Sequence, residues 1–264
     1  FLAKDLIEST RASKILDEFH NMPPVDREAI KEVLLCISEM VCELPWIQEL
    51  DLNPLIVDEE GAIAADARIV IDHAAGATGD RYSHMAIYPY PVHLIQEWQM
   101  NDGQIVTIRP IRPEDADLEQ EFVKAMSDES RYYRFMDTLR ELTQTMLVRF
   151  TQIDYDREMA LVATMTDDEG KETQIGVARY VGNPDGESVE FALAVGDNCQ
   201  KAGVGRKLMT ALIDCARQKG YRAVVGDVLS TNAKMFRLMT SLGFSIHPHP
   251  DDTAVKRVVK PLTG

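Results

Sequence analysis

Apolar residues recur along this chain with two periods, and the switches between them mark out strands and helices. Ile30, Val33, Leu34, Ile37, Val41 and Leu44 fall at helical spacing behind a capping Asp26, and Pro45 closes the run. Alternation follows: Leu50 and Leu52 are interleaved with Glu49, Asp51 and Asn53, a turn sits near Gly61, and a second strand is predicted through Ile63 to Ile71. From position 104 the pattern predicts a strand over 106–111, helices over 116–126, 130–136 and 142–152, and strands over 159–164, 175–181 and 188–195. A helix after Gly205, a strand over 223–229, a helix over 232–241 and strands over 244–247 and 255–259 complete a mixed α/β sheet. Between the two series Gly76, Gly79, Tyr88-Pro89-Tyr90-Pro91 and the turn Asn101-Asp102-Gly103 break the regularity. The expected division is therefore an α+β piece over 1–75, a connector over 76–103 and an α/β domain over 104–264.

The passage from strand to helix near position 200 carries chemistry. Upstream, Val189, Phe191, Leu193 and Val195 alternate with Glu190, Ala192 and Ala194; downstream, Val204, Leu208, Ala211, Leu212, Cys215 and Ala216 recur at helical spacing. The residues between them are Gln200-Lys201-Ala202-Gly203-Val204-Gly205-Arg206-Lys207. A helix's first turn leaves backbone N–H groups unpaired and holds the positive end of the macrodipole, so an anion is favoured there. Arg206 and Lys207 are cations at that end, each unfavourable by about 0.3–1 kcal/mol unless a polyanion offsets them. Gly203 and Gly205 remove the side chains that would block its approach. A dinucleotide fingerprint would need glycine at 208, which is Leu208, and a Walker loop would need a G-K-[ST] ending that is absent.

What does fit is Q-x-x-G-x-G between strand and helix, followed by Asn232 and by Leu242-Gly243-Phe244. In order and spacing these resemble the GNAT acyl-CoA transferase superfamily over residues 104 to 262. The resemblance implies acetyl-CoA as cosubstrate. It also implies that backbone groups of Leu193, Ala194 and Val195 meet the pantetheine and the thioester. Gln200, Lys201, Ala202, Gly203, Val204, Gly205, Arg206 and Lys207 would receive the pyrophosphate, and Asn232 is either a helix cap or a cofactor contact.

Transfer to an amine needs a base, because an ammonium with a pKa of about 10.4 has no lone pair to attack with. Glu190 is the candidate. It lies ten residues before the loop on a strand carrying Ala192 and Ala194, which leave room for a thioester and an entering amine. Partial desolvation beside Val189 and Phe191 would make it a stronger base. Many relatives place a Tyr four residues before the Gly of the Gly-Phe ending to protonate the leaving thiolate; here that position is Met239, whose thioether has no proton to give. Tyr180, Tyr132 and Tyr133 have no positional support for the role and read as packing residues.

Composition narrows the classes. Formal net charge is −15 and pI about 4.8, which argues against a nucleic-acid partner, since phosphate neutralisation needs clustered Lys and Arg. Residues 1–100 hold 7 Lys and Arg against 18 Asp and Glu, so most of the excess lies in the first part. Cys36, Cys42, Cys199 and Cys215 have no metal-ligand spacing, and Cys36 and Cys215 fall on apolar helical faces, so reduced core-filling thiols and a cytoplasmic location are expected. No apolar run reaches spanning length, which implies no membrane partner. The chain opens at Phe1 in mid-pattern, as a piece of a longer protein would.

In the first part, pairing of the two predicted strands would set Asp51, Asn53 and Asp66 on one face, where oxygen ligands suit Mg²⁺ or an ordinary solvated hairpin face would serve as well. Glu49-Leu50-Asp51-Leu52-Asn53-Pro54-Leu55 and Asp66-Ala67-Arg68-Ile69 resemble the carboxyl-terminal end of the ATP-grasp lobe of NDP-forming acyl-CoA synthetases. That resemblance makes Asn53 and Asp66 metal ligands, with Mg and ATP bound only in a complete synthetase-like region. An ATP-grasp end joined through His84-Met85-Ala86-Ile87-Tyr88-Pro89-Tyr90-Pro91 to a GNAT domain resembles the Pat-type bacterial protein lysine acetyltransferases. It implies a protein partner with a reactive lysine, acyl-CoA synthetases among them. The alternatives are a small-molecule amine N-acetyltransferase and a non-catalytic acyl-CoA-sensing module.

Overall fold

The computed structural model describes residues 2–17, 23–72, 82, 84–85, 87–100, 102–167 and 169–262. The chain divides into two compact units, Phe1–Pro89 and Tyr90–Gly264. Gly76, Gly79, Ala86 and Asn101, on which part of the expected connector rests, lie outside the described residues.

The first unit contains α1 (Leu2–Ser9), α2 (Arg27–Glu43), β1 (Ile47–Leu52), β2 (Leu55–Val57), β3 (Ala62–Ala64) and β4 (Ala67–Ile71). Asp26 caps α2 as its position predicts, accepting from the Ala29 amide at 3.1 Å. The expected second strand is in fact two. β3 pairs with β2, and β4 pairs antiparallel with β1, with Asp66 in the bend between them. The backbone changes partner there, and the Asp66 carboxylate accepts from the Ala67 amide at 3.0 Å, a local bond that competes with a continuous ladder. The apolar stripe of α2 stays half-buried, and Cys36, expected in a core, is exposed, because no described element covers that side of the helix.

The second unit is an eight-stranded sheet. Its strands are β5 (Gln96–Gln99), β6 (Ile105–Pro110), β7 (Glu158–Thr166), β8 (Glu172–Gly182), β9 (Ser188–Val195), β10 (Ala223–Leu229), β11 (Ser245–Pro248) and β12 (Val255–Pro261), in the order β11-β12-β10-β9-β8-β7-β6-β5. Its helices are α3 (Ala116–Ala125), α4 (Asp128–Phe135), α5 (Gln144–Thr151), α6 (Val204–Gln218) and α7 (Ala233–Ser241). β5 corrects the expected connector: Gln96–Gln99 pairs with Ile105–Ile108, so residues from Tyr90 onward belong to the sheet unit. With Trp98 as its one large apolar residue, the strand is too short and polar to show a period.

Each face of the sheet has its own core. Val189, Phe191 and Leu193 of β9 point to the face covered by α6, which buries Val204, Leu208, Met209, Leu212, Ile213 and Ala216. Each such large side chain contributes about 1.5–3 kcal/mol when fully buried. Ala194 and Val177 point to the other face, under α3 and α5, with Ile111, Phe122, Leu142 and Val162. Arg109 of β6 is 3% exposed and forms a bidentate pair with Asp115 (2.7 and 2.8 Å), and it also donates to Glu172 at 3.1 Å. These two carboxylates outweigh the cost of burial and hold the guanidinium above its ordinary pKa.

Candidate active site

β9 and β10 are the one parallel pair among the described strands, and they stay together for three residues. Ala223, Val224 and Val225 face Ser188, Val189 and Glu190, after which the strands part. A close contact marks the next position. A Cβ on Gly226 would stand 2.4 Å from the Phe191 ring, which packs on Phe244 at a centroid distance of 5.6 Å. Beyond Glu190 no pairing with β10 is present, so the main chain of Leu193 to Val195 lacks a neighbour on this side. Glu190 is the last paired residue before the gap.

A cavity of about 340 Å³ lies at this parting. Leu193, Ala194, Val195, Gln200, Lys201, Gly203, Gly205, Arg206 and Asn232 all line it; Ala202, Val204 and Lys207 do not. Lys201 and Gly203 take left-handed backbone conformations, φ 70° and 93°, which turn the loop into the start of α6. The Lys207 amide is the first to reach an acceptor one turn back, Gly203 O at 3.0 Å. Helix geometry therefore leaves the amides of Val204, Gly205 and Arg206 without one. Both glycines sit in tight surroundings: a Cβ on Gly203 would lie 3.3 Å from the Trp98 indole, and one on Gly205 would lie 3.3 Å from Val195 and 3.4 Å from Leu238. Such a cradle of free amides over small residues fits a phosphate group.

Two expectations about side chains change. Arg206 needs no polyanion to explain it, because its guanidinium reaches the carboxyl end of α7, 2.7 Å from the Ser241 hydroxyl, where a cation is favoured. Glu190 is exposed and lies outside the cavity lining, so the expected partial desolvation is not met. It projects on the face opposite to Phe191, sharing that face with Ala192 and, through register, with Val225 and Asp227 of β10. Asp227 is clasped by Arg257 at 2.8 and 2.9 Å, with the His249 Nε2 3.4 Å away; the bond to Arg257 above all holds its carboxyl below the usual range. In turn the bond to Asp227, and the nearby charge of Glu190, keep the Arg257 guanidinium above its ordinary value.

Asn232 does act as a cap, accepting from the Met235 amide at 3.0 Å, and it also borders the cavity. Met239 is fully buried. Of the three tyrosines, Tyr180 is buried against Tyr221 in the core, Tyr132 is exposed, and Tyr133 borders the cavity with its hydroxyl 3.4 Å from the Thr231 carbonyl.

Sequence reasoning missed the opposite wall. Glu129, Ser130, Tyr133 and Arg134 of α4, and Lys234 and Arg237 of α7, all line the cavity. Lys234 donates to Gln200 at 2.9 Å, and Gln200 donates to Asp197, whose carboxylate also takes the Ser127 amide and the Ser130 hydroxyl. Lys234 lies in the first turn of α7, a cation at a positive helix end, which is the signal that singled out Arg206.

In the first unit Asn53 follows β1 and Asp66 precedes β4, so they flank matching ends of a paired ladder whose last partners are Leu52 and Ala67. Both are exposed, and no group of three His, Cys, Asp or Glu able to hold a metal gathers among the described residues. Mg²⁺ keeps several waters and binds through one or two carboxylates together with nucleotide phosphates, so these residues would serve it only as part of a complete nucleotide site. No helix among the described residues is long and apolar enough to cross a membrane.

Comparison with known proteins agrees with this geometry. Residues 106–245 match the acetyltransferase (GNAT) domain family and residues 1–71 the ATP-grasp domain family. The first match takes in more than half of the chain, which therefore belongs to the GNAT acetyltransferases. An acetyltransferase of Pseudomonas aeruginosa is 34% identical over 154 residues, covering 58% of this chain and 82% of that protein. Acetyltransferase Pat of Mycolicibacterium smegmatis is 30% identical over 230 residues, covering 78% of this chain and 67% of Pat. The beta subunit of an ADP-forming acetate–CoA ligase from Pyrococcus furiosus is 36% identical over 69 residues, 26% of this chain and 30% of the subunit. The crystal structure of the GNAT domain of S. lividans PAT superposes with a TM-score of 0.60 at 28% identity, over 66% of this chain and 99% of that one. The chain thus joins the end of an ATP-grasp region to a GNAT acetyltransferase domain of the kind found in Pat.

Proposed function

We propose that this protein transfers the acetyl group of acetyl-CoA to lysine side chains of other proteins, acyl-CoA synthetases among them. The observation that carries the reading is the parting of β9 and β10 beside a cradle of free amides. Gly203 to Arg206 would hold the pyrophosphate, with Lys201, Lys234 and Arg237 meeting the remaining negative charge. The unpaired main chain of Leu193 to Val195 would pair with the pantetheine amides as an added strand does, and an N–H there would polarise the thioester carbonyl. Acetyl-CoA supplies the activated acyl group.

Glu190 takes the proton from the entering ammonium, directly or through water. Its exposure puts it on an open face outside the cavity, which suits a lysine presented by a folded protein better than a free amine enclosed in a pocket. Tyr133 is the one of the three candidate tyrosines that borders the cavity. The departing thiol is itself acidic, with a pKa of about 8.5, so water suffices to protonate it. The reading implies the cytoplasm, where donor and acceptors meet, and an ATP-grasp segment that contacts synthetase-like partners without binding Mg and ATP itself. The test is to incubate the protein with labelled acetyl-CoA and an acyl-CoA synthetase and to locate the modified lysine by mass spectrometry. Labelled synthetase lost on substitution of Glu190 supports the proposal; label on small amines alone contradicts it.

A further inference from the structure

Beside the strand that carries Glu190 lies a buried polar cluster that acetyl transfer does not use. Register sets Arg179 of β8 opposite Ala192 of β9, on the face that Glu190 and Ala194 share. Arg179 is 8% exposed, and its guanidinium lies 4.3 Å from the centre of the Phe150 ring. One of its nitrogens donates to the Phe150 carbonyl at 3.3 Å and lies 3.5 Å from Glu119. Its Nε is buried without a partner. Glu119, 2% exposed, also accepts from Gln174, whose own side-chain oxygen is buried and unpartnered.

Arg134 enters the same neighbourhood from the cavity wall, which it forms with Leu193, Ala194 and Val195. Its guanidinium lies over the Phe135 ring at 5.1 Å and makes no hydrogen bond or ion pair with the described residues. Crowding by protein atoms, with Arg179 close by, pushes its pKa down to about 10 despite the opposing charge of Glu119. Around Arg179, Glu158 adds negative charge and Arg149 positive charge, so the two do not change the balance. Glu119 is thus paired with Arg179, and Arg134, half-buried at the cavity wall, has no acidic partner among the described residues.

A cation half-withdrawn from water without a partner is unfavourable, and a ligand anion offsets that. The phosphates of a coenzyme A donor belong at the loop end of the cavity, whereas its acyl end would run along β9 past Ala194, whose small side chain leaves room in the cavity that Arg134 also lines. An acetyl group is too short to use that room and carries no charge to meet it.

We propose that the same site also takes donors whose acyl chain ends in a carboxylate, such as succinyl-CoA, with Arg134 receiving that carboxylate. The inference rests on the coenzyme A reading of the loop. The step balances without a further reagent. The lysine ammonium first gives one proton to Glu190; the freed nitrogen bonds to the thioester carbon as the carbon–sulfur bond breaks, its second proton passes through water to the departing thiolate, Glu190 returns its proton to solvent, and the distal carboxylate is unchanged.

The experiment offers acetyl-CoA and succinyl-CoA together with one protein acceptor and counts acetyl-lysine and succinyl-lysine by mass spectrometry. Glu190→Gln supplies the background from the donors' own reactivity. Succinyl-lysine above that background is expected, and Arg134→Gln is expected to lower the succinyl-to-acetyl ratio roughly tenfold or more, the loss of a charge-assisted pair. The ratio is internal, so a partly folded variant does not shift it. Calorimetry on the wild-type protein is the second measurement, and succinyl-CoA binding at least as tightly as acetyl-CoA is expected. Acetyl-lysine without enzyme-dependent succinyl-lysine, a ratio unmoved by Arg134→Gln, or weaker binding of succinyl-CoA overturns the inference and leaves acetyl transfer standing. Failure with both donors would overturn the coenzyme A reading itself.

Discussion

Replacing Gly226 by alanine tests how tightly the Phe191 ring packs on β10 where the two strands part. The added Cβ would stand 2.4, 2.8 and 3.0 Å from three ring carbons, where ordinary contact begins at about 3.4 Å, so the ring must move by roughly 1 Å. It is not free to do so. Phe191 is 7% exposed and is tilted against Phe244, itself 5% exposed. Overpacking of this kind costs about 1–3 kcal/mol. For a chain of this size each kcal/mol shifts Tm by about 2–4 °C, so a fall of about 2–12 °C is expected in a thermal melt. Because Phe191 adjoins Glu190, turnover should fall as well. Phe191→Leu in the same chain removes the clashing ring carbons, and the pair should show a coupling of about 1 kcal/mol or more in a double-mutant cycle. A Tm within 1 °C of wild type for the single alanine variant, or strict additivity in the pair, would refute the steric account.

Asp115→Ala should lower stability by about 3–5 kcal/mol in a denaturant titration, since it leaves Arg109 buried with Glu172 as its remaining charged partner; unchanged stability would contradict that. Asp227 has a folded pKa below its ordinary value of 3.8, through its bond to Arg257 first of all, so its contribution is present above that pH and is lost as pH falls through the folded value. Asp227→Asn should therefore flatten the acid limb of the stability profile below about pH 4 and leave its shape near neutrality alone. Gly203→Ala, which forces alanine to φ 93° against Trp98, should weaken acetyl-CoA binding and lower Tm together. Tyr133→Phe should slow turnover by no more than about tenfold, because a thiolate leaves without a strong acid.

The GNAT half was largely legible in the sequence, since α6 and strands β6 to β10 each carry a period set by burial on one or two faces. The loop was legible for a stronger reason: two glycines and a strand-to-helix passage constrain the backbone itself. What escaped is instructive. β5 is four residues with one large apolar side chain, and it is fixed by pairing with β6, a long-range fact no local pattern contains. The wall contributed by α4 was invisible because Glu129, Ser130, Tyr133 and Arg134 read as an ordinary polar helix face until α4 is placed beside β9. The face that Glu190 takes was legible, but its exposure was not, since period two says which face a residue takes and not what covers that face. Arg206 was singled out by the helix dipole, yet the dipole that explains it belongs to the end of α7.

The central claim is that the cavity holds the donor while Glu190, outside it, moves the proton. Glu190→Gln, with acetyl-CoA affinity measured by calorimetry and turnover measured at saturating acetyl-CoA, separates the two roles. Turnover should drop by about 10²–10⁴-fold with affinity unchanged. Wild-type turnover in that variant, or no affinity for acetyl-CoA in the folded wild-type protein, would contradict the account.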